Sequence, residues 1–196
     1  MTDGPQWKPY IIFKSALHPY ICQLIVHLHE HLSYSEGGVL TKKAKATGKA
    51  DYNKAHRHVK LQGSEIEWVN SLLVGYTRLA NHKTFNYNLT DVDKERLQFS
   101  KYEKGMFFND HMDYDGDPST SAHTRKLSVT VQLSDPSTYT GGDLIIDHCE
   151  NGPFTCPKDI GTVIVFDSRW FHKVTPVKSG FRYSLVKWVH GDTPLR

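Results

Sequence analysis

From Leu97 onward the sequence is a series of short segments in which apolar and polar residues alternate, each followed by a turn. The clearest example is 127–133, where four apolar residues, Leu127, Val129, Val131 and Leu133, alternate with Ser128, Thr130 and Gln132. Successive side chains of a strand point to opposite faces, so this segment has one apolar face and one polar face. A chain with many such segments folds into antiparallel sheets rather than into a helical bundle.

Eight strands are predicted in this half of the chain, at intervals of about ten residues. Turn-forming pairs such as Asp135-Pro136 and Gly141-Gly142 separate them. The predicted strands are Leu97–Tyr102, Met106–Met112, Lys126–Leu133, Asp143–Asp147, Phe154–Cys156, Thr162–Phe166, Phe171–Val174 and Arg182–Val189.

The N-terminal half is predicted to hold a strand over Trp7–Phe13 and then two amphipathic helices. The apolar face of the first is predicted to be Ile21, Leu24, Ile25, Leu28 and Leu32. The second helix is predicted to start near Ser64, end near Asn81 and use as its apolar face Ile66, Val69, Leu72, Leu73, Tyr76 and Leu79.

Two such helices require a sheet to cover. We therefore expect a mainly β fold with helical support: a jelly roll, or double-stranded β-helix, with N-terminal helices packed on one sheet. The 196 residues suit a single domain, 1–196. Within it we expect a helical preface over 1–95 and a jelly-roll catalytic core over 96–191.

A lysine-rich, glycine-flanked segment over 35–52 interrupts the preface, with Lys42, Lys43, Lys45 and Lys49 and few apolar residues. We interpret it as a mobile basic loop. Two roles are open: a solvated surface excursion, or a lid that orders over bound substrate.

The net charge of +3, from 24 basic and 21 acidic side chains, is too small to indicate a nucleic-acid partner. Three scattered cysteines, Cys22, Cys149 and Cys156, form no disulfide framework and favour a reducing compartment. No signal peptide and no apolar run of transmembrane length are found, so we expect a soluble cytoplasmic protein, a monomer or a homodimer, with no membrane partner.

Metal-ligating residues occur in two patterns. His111 and Asp113 are separated by one residue in a predicted strand and so point to the same side, where a metal ion would need one more ligand. With 12 histidines in the chain, this triplet can also arise by chance. His27, His29 and His31 alternate along a helix and cannot all reach one ion, so we interpret them as solvated or hydrogen-bonded.

Arg182 is predicted to share a strand face with Ser184, Val186 and Trp188. If it is buried it needs an anionic partner, such as a bound carboxylate. The alternative is an internal ion pair.

Three segments together are similar to the 2-oxoglutarate- and Fe(II)-dependent prolyl hydroxylases, and in particular to the branch called PKHD-type hydroxylases. They are Tyr102-Glu103-x-Gly105-x-x-Phe108-x-x-His111-x-Asp113, Leu133-Ser134-Asp135-Pro136-x-x-Tyr139-x-Gly141-Gly142-x-Leu144, and His172-Lys173-Val174-Thr175-Pro176-Val177-x-x-Gly180-x-Arg182, ending at Trp188.

The resemblance implies His111, Asp113 and His172 as iron ligands and Arg182 as the partner of the distal carboxylate of 2-oxoglutarate. It implies Tyr102 at the cosubstrate pocket, and Gln132 where relatives often hold the cosubstrate with an aromatic residue. Trp188 and Arg125 match positions near the cavity mouth, where substrate would lie. One departure is Phe108, which stands where many prolyl hydroxylases have tyrosine.

The implied reaction is hydroxylation of an unactivated C–H bond, with Fe(II), 2-oxoglutarate, O₂ and ascorbate as reductant, giving succinate and CO₂. A proline-bearing peptide or protein is the expected substrate. Three alternatives are open: the same chemistry on another side chain or a small molecule, a non-catalytic cupin-like module that binds metal and anion, and a zinc hydrolase that uses the same three ligands.

Overall fold

The structure, a computed structural model, describes residues 10–37, 57–93, 95–114, 124–147 and 152–192. Its strands are β1 (Tyr10–Phe13), β2 (Ser35–Glu36), β3 (Arg57–His58), β4 (Lys60–Ser64), β5 (Leu89–Asp91), β6 (Leu97–Tyr102), β7 (Phe107–His111), β8 (Thr124–Gln132), β9 (Thr140–Gly141), β10 (Leu144–Asp147), β11 (Pro153–Thr155), β12 (Val163–Asp167), β13 (Phe171–Val174), β14 (Val177–Ser179) and β15 (Arg182–Gly191). The helices are α1 (Pro19–Glu30) and α2 (Glu67–Ala80), which continues as one wider turn over Asn81–Phe85.

Two antiparallel sheets form the body of the protein. The large sheet has the order β1-β12-β8-β15-β6-β4-β2, with β5 beside β15, and the small sheet has the order β11-β10-β13-β7-β3. A two-stranded ribbon of β9 and β14 completes the arrangement. This is the mainly β fold with helical support that the alternating pattern predicts, and each of the eight predicted strands is present within about two residues at either end.

The two faces of the large sheet have different neighbours. Val129 and Val131 of β8 pack with Ile25 of α1 and Leu73 of α2, so the apolar row of this strand lies beneath the helices. A second apolar cluster, with Ile164 from the large sheet and Ile146 from the small one, lies between the sheets. The polar row of β8 therefore faces the space between the sheets, where a polar cavity can form.

The predicted apolar face of α1 is wrong in part. Leu24, Leu28 and Leu32 are 45%, 47% and 52% exposed, whereas Cys22 and His29 are buried beside Ile25. His29 can enter the core because Nδ1–H donates to the carbonyl of Ile25 at 2.7 Å and the ring stacks on Phe99. The hydrogen-bonded imidazole of His29 is therefore buried, whereas a prediction from hydrophobicity alone buries the neighbouring leucines instead.

In α2 the same kind of error occurs. Leu72 and Leu79 are 38% and 42% exposed, whereas Thr77 and Ala80 are buried. The Thr77 hydroxyl donates to the Leu73 carbonyl at 2.7 Å, which removes the cost of burying it.

The division into a helical preface and a β core needs correction, because the sheets do not begin at Leu97. From the preface, β1, β2, β4 and β5 join the large sheet and β3 joins the small one. β4 lies near the edge of the large sheet, where only the two-residue β2 follows it, and its sequence KLQGS carries no alternation that could reveal a strand. The predicted second helix begins at Glu67 rather than near Ser64, since Ser64 ends this strand.

Two predictions fall outside the described residues. Of the lysine-rich loop over 35–52, the structure describes only Ser35 and Glu36, which form β2, and Gly37. Its role as a lid therefore stays a prediction. Cys149 and the residues that precede Tyr10 also lie outside the described part. Cys22 and Cys156 are buried free thiols. In the described residues, neither α1 nor α2 is long and apolar enough to cross a membrane.

Candidate metal centre and anion pocket

Two of the sequence-predicted metal ligands are cross-strand partners. His111 at the end of β7 pairs in register with His172 of β13, which places their ring centroids 4.1 Å apart. Asp113 follows β7. Its Oδ1 lies 3.6 Å from Nε2 of His111, and its Oδ2 lies 3.4 Å from Nε2 of His172. All three ligand atoms lie within 4.8 Å of one another, so one metal ion could reach them together.

Backbone carbonyls orient both imidazoles. Nδ1–H of His111 donates to the carbonyl of Asn109 at 2.8 Å, and Nδ1–H of His172 donates to that of Trp170 at 3.1 Å. Both Nε2 atoms therefore face Asp113 and are the ring atoms that can bind a metal ion. Burial lowers the pKa of His111 to about 3, so this ring is neutral at physiological pH.

Ser128 holds the carboxylate of Asp113 and is itself in contact with Ser168. Ser128 Oγ donates to Asp113 Oδ2 at 2.7 Å and lies 2.9 Å from the hydroxyl of Ser168. Burial opposes ionisation of Asp113, but His172, through its charge and its hydrogen bond to the carboxylate, outweighs burial and holds the pKa of Asp113 well below its usual value. The carboxylate is therefore ionised and oriented, ready to bind a cation.

Arg182, at the start of β15, is 1% exposed. Its Nη1 and Nη2 groups donate to Ser184 and Gln132, each at 3.2 Å, and its guanidinium lies 5.2 Å from the ring centroid of Tyr102. Nε has no hydrogen-bond partner, and no carboxylate of the described residues forms an ion pair with this side chain. A buried cation in this state is costly unless an anion binds to it.

The guanidinium and the three metal ligands line one cavity of about 480 Å³ between the two sheets. Tyr102, Thr130, Ser184 and Trp188 also line it. The arrangement can therefore hold a divalent metal ion and a carboxylate at two places in a single space.

Gly142 makes room for the Arg182 side chain. Its φ is +62°, and an added Cβ would lie 3.0 Å from Cδ of Arg182 and 3.0 Å from Cγ2 of Val177. Only glycine adopts this left-handed conformation without cost and leaves that space free. The Gly141-Gly142 pair thus supports the anion pocket besides forming a turn.

We expect Gly142→Ala to lower the free energy of unfolding by roughly 1–3 kcal/mol, because it adds left-handed strain and a close contact. Urea denaturation measures this. Gly75→Ala is the matched control: Gly75 lies in α2 with open space around it, so alanine should raise stability by about 1 kcal/mol. Equal effects of the two substitutions would contradict the assigned role of Gly142.

Trp188 and Arg125, predicted near the cavity mouth, contact each other. The guanidinium carbon of Arg125 lies 4.1 Å from the Trp188 ring centroid, and Nη1 is 3.4 Å from the Asp113 carbonyl oxygen. Glu95 accepts from Nε of Arg125 at 2.7 Å and also contacts His190 at 2.7 Å. Trp188 lines the cavity, whereas Arg125 lies behind it, held by Glu95.

Sequence reasoning missed Arg57 and the contact that Phe108 makes. The Phe108 ring stacks on His111 with centroids 3.5 Å apart, and the Arg57 guanidinium lies 4.2 Å from the Phe108 centroid. Both residues line the cavity. Arg57 follows the basic loop in a two-residue strand, so no pattern could indicate it. The role of Ser128 was detectable only as part of the polar row of β8.

A sequence model of the 2OG-Fe(II) oxygenase superfamily matches residues 97–190. A PKHD-type hydroxylase of Synechococcus elongatus is 35% identical over 118 residues, which cover 58% of this chain and 51% of that protein. One of Crocosphaera subtropica is 27% identical, over 83% of this chain and 73% of the relative.

Solved structures share the fold. A Trichoplax adhaerens prolyl hydroxylase in complex with a hypoxia inducible factor peptide fragment matches 96% of this chain and 86% of its own, with a TM-score of 0.74 and 19% identity. A Pseudomonas putida prolyl-4-hydroxylase matches 93% of this chain and 92% of its own, with a TM-score of 0.66 and 18% identity. At such identities the likeness concerns the fold alone.

The chain spans about half the length of the first of these hydroxylase relatives. The matched segment, 97–190, nevertheless includes both histidines, the aspartate and the buried arginine described above. Residues 97–190 therefore match the 2OG-Fe(II) oxygenase superfamily, and the chain is similar to PKHD-type hydroxylases.

Proposed function

We propose that this chain hydroxylates an unactivated C–H bond, using 2-oxoglutarate, O₂ and Fe(II) bound by His111, Asp113 and His172. Two imidazoles and one carboxylate with open positions form the ligand set typical of such iron sites. Bound there, the metal and cosubstrate supply the oxidation, in which 2-oxoglutarate yields succinate and CO₂ and one oxygen atom enters the substrate. Ascorbate is the proposed reductant that keeps the iron ferrous.

In this proposal Arg182 binds the distal carboxylate of 2-oxoglutarate. The observation that carries the proposal is its burial beside the metal ligands with no carboxylate partner among the described residues. Gln132 and Ser184 orient the guanidinium by accepting from Nη2 and Nη1. Tyr102 packs against it and borders the cosubstrate.

The protein's further contribution is to exclude water and orient the substrate. Trp188 forms part of the cavity wall, and Arg125 supports it from behind through the stacking contact. We propose that the substrate approaches the metal past Trp188, with Arg125 and Glu95 fixing the position of the indole.

We propose a peptidyl proline as the group that is hydroxylated. The fold is that of prolyl hydroxylases, one of which is described as bound to a peptide. A rival is another amino-acid side chain or a small molecule. The test is to incubate the protein with a panel of proline-bearing peptides, Fe(II), ascorbate and 2-oxoglutarate and to analyse the peptides by mass spectrometry. A gain of one oxygen on proline supports the proposal. Oxidation confined to other residues overturns the choice of substrate.

Two rivals lie outside this chemistry. A cupin-like binding module would bind metal and anion without forming succinate, so succinate produced even without a prime substrate excludes it. A zinc hydrolase with the same ligands would act anaerobically and would not need Arg182. Succinate that forms only with both O₂ and Fe(II) rejects both rivals.

The hydroxyl of Ser128 should matter although it touches no substrate. Ser128→Ala removes the hydrogen bond to Asp113 Oδ2. Loss of such a partner of a metal ligand typically costs 10–100-fold in metal affinity or activity. We expect a loss of roughly that size in Fe(II) affinity, measured by the iron dependence of succinate formation. Ser137→Ala is the control. Ser137 lies in an exposed turn, where its hydroxyl donates to Asp135, so this substitution should not change the Fe(II) affinity.

A further inference from the structure

The last turn of α1 carries a second cluster of metal-ligating side chains, separate from the candidate metal centre. It consists of His27, Glu30 and His31, at positions i, i+3 and i+4, which lie on one face of a helix. One ligand atom from each side chain lies within 4.8 Å of the other two. The three alternating histidines of this segment thus divide: His29 enters the core, while His27 and His31 face solvent.

One carboxylate oxygen lies between the two imidazoles. Glu30 Oε1 is 3.3 Å from Nδ1 of His27 and 3.3 Å from Nε2 of His31. The two rings are nearly perpendicular, at 88°, with centroids 5.7 Å apart. Two nitrogen atoms and one oxygen atom therefore converge from different directions on one small volume.

We propose that His27, Glu30 and His31 form a surface site for a divalent transition metal ion such as Zn(II). Imidazole nitrogen and carboxylate oxygen are the ligands that ions of this class prefer, and water completes the coordination shell at an open site. The position at the C-terminal end of α1 adds to the attraction, because the free carbonyls there carry partial negative charge.

Simple ion pairing accounts poorly for this arrangement. The side chains of His27, Glu30 and His31 are 70%, 36% and 75% exposed, and ion pairs at such exposure contribute little. Ordering three exposed side chains costs conformational entropy, which coordination to one ion can offset. His27 and Glu30 also line an open groove beside the Asp135 turn, so an ion can reach them freely.

The test is a count of bound Zn(II) on the full chain by equilibrium dialysis. Because the ligands of the candidate metal centre can also bind zinc, four proteins are compared: wild type, His31→Gln, His111→Ala and the double variant. We expect each single substitution to lose one equivalent relative to wild type and the double variant to lose two. His82→Gln, which changes an exposed histidine elsewhere on the surface, should bind as many equivalents as wild type.

A second readout does not depend on counting. In the His111→Ala background, Zn(II) should raise the melting temperature, since an ion that binds only the folded state stabilises it, and His31→Gln should remove that rise. With Fe(II) supplied, His31→Gln should form succinate at the wild-type rate, because the site lies apart from the cavity. Unchanged zinc stoichiometry in His31→Gln would overturn the assignment, whatever the outcome for the oxygenase reaction.

Discussion

Asp113→Ala is expected to abolish succinate formation. It removes the one anionic ligand of the proposed iron site and leaves two neutral imidazoles, so both the affinity for Fe(II) and the geometry of the remaining ligands are lost. The loss should exceed the roughly 10–100-fold expected when an outer partner of a ligand is removed. The measurement is 2-oxoglutarate turnover over a range of Fe(II) concentrations.

Asp110→Ala is the matched control for this experiment. Asp110 lies three residues earlier in the same segment, its side chain is 52% exposed, and it pairs with Lys173 rather than with the metal ligands. We expect its turnover to match wild type. Folding of both variants is checked by circular dichroism, since Asp113 also accepts a hydrogen bond from Ser128. A folded Asp113→Ala protein with normal turnover would reject the proposed metal centre.

Arg182→Met should weaken 2-oxoglutarate binding by roughly 10- to 150-fold, because a buried hydrogen bond to a charged group contributes roughly 1.5–3 kcal/mol. Methionine retains much of the side-chain volume while it removes the charge. Without ligand, the variant should melt no lower than wild type, since the wild-type protein carries the cost of a buried cation without an anion. At the same concentration, added 2-oxoglutarate should stabilise the variant much less than it stabilises wild type.

These opposite effects on binding and stability distinguish a ligand-binding arginine from a structural one. If Arg182 were structural, Arg182→Met would lower the melting temperature and leave the 2-oxoglutarate dissociation constant unchanged. Isothermal titration with metal-loaded protein gives that constant, and calorimetry gives the melting temperature. Arg96→Met is the control, because Arg96 is 78% exposed and paired with Glu65, so neither quantity should change.

The fold brings together the main residues that the sequence predicted for the candidate site, while their roles stay predictions. His111, Asp113, His172 and Arg182 lie together. From the polar row of β8, Thr130 lines the cavity, Ser128 bonds to Asp113 and Gln132 bonds to Arg182. These residues were detectable because strand alternation is local and because the spacing of metal ligands along a strand follows from backbone geometry. The strands from Leu97 onward were predicted for the same reason.

The helices show where local patterns fail. Leu24 and Leu28 follow the helical period but are exposed, while His29 is buried because a backbone carbonyl and Phe99 receive its ring. Hydrophobicity ranks side chains one at a time, whereas burial also depends on whether a polar atom finds a partner in three dimensions.

The alternating pattern and the motifs specified the strands of the C-terminal half and the candidate metal ligands with Arg182. Only the folded structure decided how these residues meet: the register that pairs His172 with His111, the serine that holds Asp113, the glycine that admits the Arg182 side chain, and Arg57 stacked on Phe108. The physical reason is that alternation and spacing depend on a few neighbouring residues, whereas pairing, register and the satisfaction of buried polar groups depend on strands far apart in the chain.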